Sequence, residues 1–226
     1  MRAVDKQALS VGLATGAYGV SFGALSVAAG LDLWQTQALS ALLFTGGSQF
    51  ALVAIVGAGG TGLAAASTST LLGLRNGLYA LELSRTLSVR GWRRAAAAHL
   101  TIDETTAVAL AQCDPSESRR GFWLTGLAVF AFWNLATLAG ALLGNALGDP
   151  RSWGLDAAAA AAFVGLLWPR LHRRSAVLTA ALAVGMALAV APHVGAGTPV
   201  LVAALAAILV GARGGSPGGA DAGGDA

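Results

Sequence analysis

The sequence predicts an all-α, polytopic membrane protein with about seven or eight membrane segments, some of them short or broken. Hydrophobic residues make up 55% of the 226 residues and charged residues only 11%, whereas a soluble domain carries about 25% charged residues. Mean hydropathy is +0.66. The apolar runs are long and continuous, while strands of a transmembrane barrel alternate apolar and polar residues over about ten positions. Helices are therefore favoured over a barrel.

Apolar runs between polar breaks locate the predicted membrane segments. Crossing a hydrocarbon core about 30 Å thick takes roughly 20 helical residues. The predicted segments are residues 8–30, 36–57, 61–83, 122–147, 155–169, 175–191 and 194–212, with 95–112 as the eighth candidate. The runs at 155–169 and 175–191 are short for full crossings and end at Pro169 and Pro192, so we expect half-helices or a tight helical hairpin there.

The chain is expected to be a multi-pass protein of the bacterial plasma membrane, with one integral membrane transporter domain at residues 1–213. The Gly- and Ala-rich tail at 214–226 has too little apolar surface to fold and is predicted to be disordered. The N-terminal run continues to Gly30 without a cleavage site and is expected to remain as an anchor. Cys113 is the single cysteine, so no intrachain disulfide is predicted.

Basic residues lie in short gaps between the apolar runs, which suits loops that face anionic lipid and not a nucleic-acid surface. The gap at 84–94 holds four arginines and the gap at 113–120 holds two, and both are expected to be cytoplasmic. If 95–112 enters and leaves on one side, the N-terminus falls outside. If it crosses, only the 84–94 cluster violates the positive-inside tendency. The crossing arrangement is preferred.

Polar residues inside apolar runs are candidates for function, because a charge at the bilayer centre costs about 3 kcal/mol on insertion scales. Arg75 lies deep in the third segment beside Asn76, and shares a helix face with Tyr79 and Glu82. Arg75 could offer its fork of donors to a substrate carboxylate. An ion pair with an acidic residue of another helix explains it equally well.

Asp103 and Glu104 interrupt an Ala-rich run. Adjacent helix positions diverge by about 100°, so both carboxylates can face one point only if the helix unwinds there. They suit an amine-binding or proton-relay site. The alternative is an amphipathic helix that lies in the membrane interface.

The run from Phe44 to Phe50 places two glycines and polar side chains in the middle of the second segment. Glycines weaken a helix there, and a broken helix would free backbone groups to line a cavity. Packing of small residues is the simpler alternative. The predicted pathway residues from the first two segments are Ser21, Gly23, Gly46, Gly47, Ser48 and Gln49.

Asn134 in the fourth long segment is a further pathway candidate, although an interhelical hydrogen bond also explains it. His172 and His193 lack the spacing of metal ligands, and no metal site or cofactor is expected. Walker, nucleophile-elbow and HExxH motifs do not occur in the sequence. ATP hydrolysis and standard hydrolase chemistry therefore lack support.

Four motifs in this order resemble the AzlC family, the large subunit of branched-chain amino acid exporters, over about residues 8–150. They are Ser-Phe-Gly at 21–23, Phe-Thr-Gly-Gly-Ser-Gln-Phe at 44–50, Leu-Arg-Asn-Gly-Leu-Tyr at 74–79 and Asp103-Glu104. The third motif of the family usually reads Asn-x-Arg-His followed by Tyr. Arg75 and Tyr79 match it, while Asn76 stands in the place of the His. The resemblance implies export of branched-chain or similar amino acids together with a small AzlD-type membrane subunit.

These observations predict a secondary exporter and not an enzyme. In this hypothesis Arg75 meets the substrate carboxylate, and Asp103 or Glu104 meets the ammonium or a coupling proton. Without an ATP-binding motif, an ion gradient, most simply of protons, is the expected energy source. Two alternatives stay open. One is a membrane-embedded enzyme that uses Asp103, Glu104 and His99 as acid–base groups, and the other is a structural subunit that does not transport.

Overall fold

A computed structural model of the protein describes residues 1–147 and 174–214, with 164, 168, 171 and 172. The described residues are helical apart from turns and short connections, which confirms the all-α fold class. The helices are α1 (Ala3–Ala28), α2 (Leu33–Leu42), α3 (Gly46–Gly57), α4 (Gly62–Leu87), α5 (Trp92–Leu100), α6 (Asp103–Leu110), α7 (Pro115–Leu147), α8 (Arg174–Val190) and α9 (Thr198–Gly214). Nearly all of the predicted segment 155–169 and of the tail 214–226 lies outside the described residues.

The chain divides into two compact units, Met1–Gly165 and Leu166–Ala226. In the second unit α8 and α9 pack against each other, and a short 3-10 helix at Ala191–His193 follows α8. In the described residues, three stretches are long and apolar enough to cross a membrane: α1, the part of α7 up to Gly144, and Arg174–His193. The site described below belongs to the first unit.

Helices α1 and α7 run parallel and form the most extensive helix–helix contact among the described residues of the first unit. Their first turns are joined by Arg120, whose Nε lies 2.6 Å from Asp5 Oδ1. Further along, a Cβ atom at Gly12 would lie 2.6 Å from Ala128 Cβ, and one at Gly23 would lie 2.0 Å from the Thr137 carbonyl oxygen. Lipid gives no hydrophobic drive for helix association, so close backbone approach at small residues must hold such a pair together.

Asp114 begins α7 by capping its first turn. Its carboxylate accepts hydrogen bonds from the Ser116 hydroxyl and from the Glu117 backbone N–H. The bond from Ser116, followed by the one from Glu117, holds the pKa of Asp114 below its usual range. An anionic cap suits the positive end of the helix dipole.

Helix α4 runs antiparallel to α1 and α7. It starts after the short loop that follows α3, and Arg119 in the first turns of α7 donates a hydrogen bond to the carbonyl oxygen of Thr86 at the end of α4. With 26 residues, α4 is roughly 39 Å long. It therefore connects the two ends of the unit.

Helices α2 and α3 form a hairpin that enters and leaves at the end where α1 stops. Gln49 Nε2 donates to the carbonyl oxygens of Leu39 and Ser40, which pairs the start of α3 with the last turn of α2. From there α3 returns, so that a Cβ atom at Gly57 would contact Ala29 just beyond α1. The segment 36–57 was expected to cross. Instead it is two half-helices of 10 and 12 residues, each about half the thickness of the hydrocarbon core.

Helices α5 and α6 form a second hairpin at the opposite end of the unit. Leu100 at the end of α5 packs where a Cβ atom at Gly126 of α7 would be 3.1 Å away. The chain then turns back, and the Ser118 hydroxyl near the start of α7 donates to the carbonyl oxygen of Ala109. The expectation that 95–112 crosses is wrong, because two half-helices of 9 and 8 residues return to the end they came from.

The two hairpins make the first unit an inverted repeat. A long helix is followed by two half-helices twice, α1–α2–α3 and α4–α5–α6, and the second set runs in the opposite direction. The half-helix pair begins 30 residues after the start of the long helix in both sets, from Ala3 to Leu33 and from Gly62 to Trp92. Inverted repeats with discontinuous helices are common in secondary transporters, where the sites lie near the membrane midplane.

This topology brings the basic residues of the first unit to one end, named here the arginine-rich end. It is where α1, α5 and α7 begin and where α4 and α6 stop. Among the described residues of this unit, all arginines and lysines except Arg75 lie there: Arg2, Lys6, Arg85, Arg90, Arg93, Arg94, Arg119 and Arg120. The conflict between the two arginine gaps disappears, because both hairpins are re-entrant. The positive-inside tendency then predicts that the arginine-rich end faces the cytoplasm.

Cys113 tests this orientation because it is exposed and lies between α6 and α7 at the arginine-rich end. A membrane-impermeant maleimide is expected to label it only after cells are permeabilised. Ala58→Cys in a Cys113→Ser background places the thiol in the exposed loop after α3 and should be labelled in intact cells. Labelling of Cys113 in intact cells would contradict the assignment.

Candidate functional site

The tips of the two hairpins meet beside the middle of α7. The Phe44 ring lies 5.8 Å from the His99 ring and 5.1 Å from the Phe130 ring, measured between centroids. The centroids of the His99 and Phe130 rings are 5.9 Å apart. The breaks between half-helices, which free backbone polar groups, therefore lie near one another in the interior of the unit.

Arg75, Tyr79 and Asp103 form a charged group between α4 and α6. Arg75 NH2 lies 2.8 Å from Asp103 Oδ2, and the Tyr79 hydroxyl donates to Asp103 Oδ1 at 2.7 Å. The side chains of Arg75 and Asp103 are 29% and 17% exposed, so water screens the pair only in part. The interpretation of Arg75 as the partner of an acidic residue on another helix is confirmed.

The helix is interrupted just before the two adjacent carboxylates, between Leu100 and Asp103. Asp103 and Glu104 are both helical, so their side chains still diverge by about 100°. Thr105 stabilises the break: the Ile102 backbone N–H donates to its Oγ1, and its hydroxyl donates to the Leu100 carbonyl oxygen. Asp103 and Glu104 therefore occupy the first turn of α6, where the helix dipole favours negative charge. Both are half-buried.

The tip of the first hairpin begins at the two adjacent glycines. A Cβ atom at Gly46 would lie 3.3 Å from the Trp133 ring, so this position suits a glycine. Gln49 was predicted to line a cavity, but its amide nitrogen donates hydrogen bonds to two carbonyl oxygens in the last turn of α2. Ser48 is fully buried, and its hydroxyl has no hydrogen-bond partner in the described part of the chain.

One face of α4 lies opposite Ser48. A Cβ atom at Gly73 would be 3.6 Å from Ser48 Oγ. Ser69 and Asn76 share this face by their spacing of four and three residues from Gly73. Ser69 Oγ and Asn76 Oδ1 are buried and lack hydrogen-bond partners among the described residues. Buried polar atoms are normally paired, so this cluster between α3 and α4 is a place for a ligand or water.

The remaining predicted pathway residues lie elsewhere in the unit. Ser21 is buried on α1, and Gly23 lies in the contact between α1 and α7. Asn134 accepts hydrogen bonds from Gln37 Nε2 at its carbonyl oxygen and Oδ1. This interhelical bond between α2 and α7 is the role that the sequence analysis offered as the alternative for Asn134.

Sequence reasoning missed Ser69, and it missed the polar contact in which the Ser40 hydroxyl donates to Thr137 Oγ1. Isolated serines and threonines are ordinary in membrane helices, where they bond neighbouring backbone or side chains. The spacing of Ser69, Gly73 and Asn76 was the available signal, although it points to a site only once α3 is known to lie opposite.

Tyr79→Phe removes the hydroxyl that holds Asp103. A hydrogen bond to a charged group contributes about 1.5–3 kcal/mol, and we expect the free energy of unfolding in mixed micelles to fall by about that amount. Tyr18→Phe is the matched control, since Tyr18 is 47% exposed, and it should leave stability unchanged. Equal stability of both variants would show that Tyr79 does not stabilise the carboxylate.

The fold and these groups define a polytopic helical membrane protein in which charged and polar side chains converge between two re-entrant hairpins. The chain belongs to the AzlC family: the family model described as AzlC protein matches residues 10–147, more than half of the 226 residues. This family is associated with transport, and membership is consistent with a membrane transporter-type subunit. Comparison with curated proteins and with solved structures finds no match.

Proposed function

We propose that the protein is the permease subunit of a secondary exporter of branched-chain or related amino acids. The observation that carries the proposal is the ion pair of Arg75 and Asp103 at 2.8 Å, placed beside the meeting point of the two hairpin tips. A charged pair in this position is costly to maintain for structure alone, since apolar residues of similar volume often stabilise a core as well or better. Intramembrane charges of this kind commonly belong to a pathway.

The pair suits a substrate that is itself a zwitterion. A substrate ammonium competes with the Arg75 guanidinium for Asp103, and the displaced guanidinium is then available to the substrate carboxylate. All four charges stay paired during this exchange, so no isolated charge is left in a low-dielectric site. Tyr79 keeps Asp103 in place throughout, because its hydroxyl bonds the oxygen that Arg75 does not.

Coupling to a proton gradient is assigned to Glu104. It lies next to Asp103 in the first turn of α6, where it can take up a proton when the substrate changes the charge around it. The apolar side chain of the substrate needs only the surrounding aromatic and aliphatic residues, among them Phe44 and Phe130. A small AzlD-type membrane subunit completes the transporter.

The test is transport by the purified chain in proteoliposomes, with and without its small partner subunit. We expect labelled leucine, isoleucine or valine to move when a pH gradient is imposed and to stop when an uncoupler removes it. No gradient-dependent flux of any of them, despite confirmed insertion, would contradict the proposal. Chemical conversion of a substrate in detergent, where no gradient exists, would favour a membrane-embedded enzyme instead.

A further inference from the structure

The first turn of α3 has backbone N–H groups without a capping side chain. Thr45 occupies the N-cap position but makes no side-chain cap hydrogen bond. The N–H groups of the first turn have no partner inside the helix, and in the described residues no other side chain bonds those of Gly46, Gly47 and Ser48. Together with the helix dipole, such groups attract anions. In membrane transporters, half-helices present this end to anionic substrate groups.

The Ser48 side chain adds a second, independent indication of a ligand. It is 0% exposed, and its hydroxyl has no partner among the described residues. The hydroxyl belongs to the same first turn and faces Gly73, which has no side chain to fill the space between α3 and α4. A buried donor left unpaired costs about 1–3 kcal/mol, and a bound anion would remove that cost.

The inverted repeat indicates what the ligand is. In α6 the first two positions are Asp103 and Glu104, so this half-helix supplies its own carboxylates, and a threonine follows at the third. In α3 the same positions are the glycines 46 and 47, and Ser48 follows. Both half-helices thus carry a hydroxyl residue at the third position, but only α6 carries carboxylates at the first two. At the start of α3, a carboxylate from a bound ligand would take the place that the Asp103 and Glu104 side chains take at the start of α6.

We propose that the N-terminal turn of α3, with the Ser48 hydroxyl, is the binding site for the carboxylate of the transported amino acid. This proposal rests on the exporter function above and adds the α3 turn to Arg75 as a second group that binds the substrate carboxylate. The carboxylate and ammonium of an amino acid are bonded to one carbon, so their binding groups must be adjacent. Arg75 in α4 contacts Asp103 of α6, and Gly73, two residues earlier in α4, faces Ser48 of α3, so α4 borders both groups.

The experiment measures binding of three probes to the full-length chain in nanodiscs. Leucine carries both charged groups, 3-methylbutylamine is leucine without the carboxylate, and 4-methylpentanoate is leucine without the ammonium. The variants are Ser48→Ala, which removes the hydroxyl, and Gly73→Ala, whose methyl would lie 3.6 Å from Ser48 Oγ. Gly77→Ala is the control, because it adds a methyl to the same helix with no atom within 4 Å.

We expect Ser48→Ala and Gly73→Ala to weaken leucine binding about tenfold or more, as loss of a hydrogen bond to a charged group would. Binding of 3-methylbutylamine should stay within twofold of wild type, and Gly77→Ala should behave as wild type with every probe. If leucine and the amine weaken equally, or neither weakens, the carboxylate site is wrong while the exporter function stands.

If the wild-type protein binds neither leucine nor the amine, the assignment of an amino acid substrate fails. Binding of 4-methylpentanoate then tests the carboxylate site independently of that assignment. Binding of that anion that is lost in Ser48→Ala would support a carboxylate site for another substrate. Absence of binding would overturn the site as well.

Discussion

Arg75→Ala is expected to reduce amino acid efflux to background. The substitution removes the cation 2.8 Å from Asp103, and removal of one partner of a buried ion pair costs about 3–5 kcal/mol. A cost of about 3 kcal/mol already corresponds to more than a hundredfold change in the ratio of folded to unfolded protein. Because Arg75 and Asp103 are 29% and 17% exposed, the loss of stability should lie at or below the low end of that range. Efflux from cells that express matched amounts of folded protein is the measurement.

The double variant Arg75→Ala/Asp103→Ala separates a structural role from a functional one. It leaves no unpaired charge, so its thermal stability should return toward that of wild type. Efflux should remain at background, because the groups that exchange with the substrate are missing. Recovery of efflux in the double variant, or wild-type efflux by Arg75→Ala, would show that the ion pair has a structural role only.

Gly23→Ala is expected to prevent stable folding of the first unit. The added Cβ atom would lie 2.0 Å from the carbonyl oxygen of Thr137 and 2.7 Å from the backbone nitrogen of Ala141. Backbone atoms cannot rotate away as a flexible side chain can, so α1 and α7 must separate along their contact. We expect a loss above about 4 kcal/mol, and a melting temperature lower by roughly 10 °C or more, measured in detergent by fluorescence-detected size exclusion.

The matched control for this prediction is Gly77→Ala, which replaces a glycine in the interior of α4 with nothing within 4 Å. Alanine is about 1 kcal/mol better than glycine in a helix, so this variant should be as stable as wild type or slightly more so. A melting temperature of Gly23→Ala equal to that of Gly77→Ala would contradict the close packing of α1 on α7.

The sequence predicted the main features of the fold because lipid constrains it strongly. Long apolar runs had to be helical, since a membrane leaves no water to satisfy exposed backbone groups. Glycines recur at three- and four-residue spacing along α1, at positions 12, 16, 19 and 23, and Gly12 and Gly23 contact α7. Glycine spacing shows that a helix packs closely, but it does not identify the partner helix.

The topology could not be derived from hydropathy. Residues 36–57 and 95–112 are each long enough to cross, and their composition does not tell a crossing from a hairpin of two half-helices. What decides it are contacts between distant residues, such as Gln49 with the end of α2 and Ser118 with the end of α6. Such contacts satisfy carbonyl oxygens at the ends of α2 and α6, and a count of apolar residues cannot reveal them.

The sequence by itself determined the class of protein and the chemically informative residues, because charged side chains in an apolar run are costly and therefore noticeable. Arg75 and Asp103 were found in this way, and Tyr79 was found because it shares a helix face with Arg75. Only the tertiary structure decided that Arg75 and Asp103 form an ion pair and that the unpaired Ser48 hydroxyl faces Gly73. The reason is that an ion pair and an unpaired hydroxyl are properties of distances between helices, and those distances follow from the α1–α7 contact and the two hairpins.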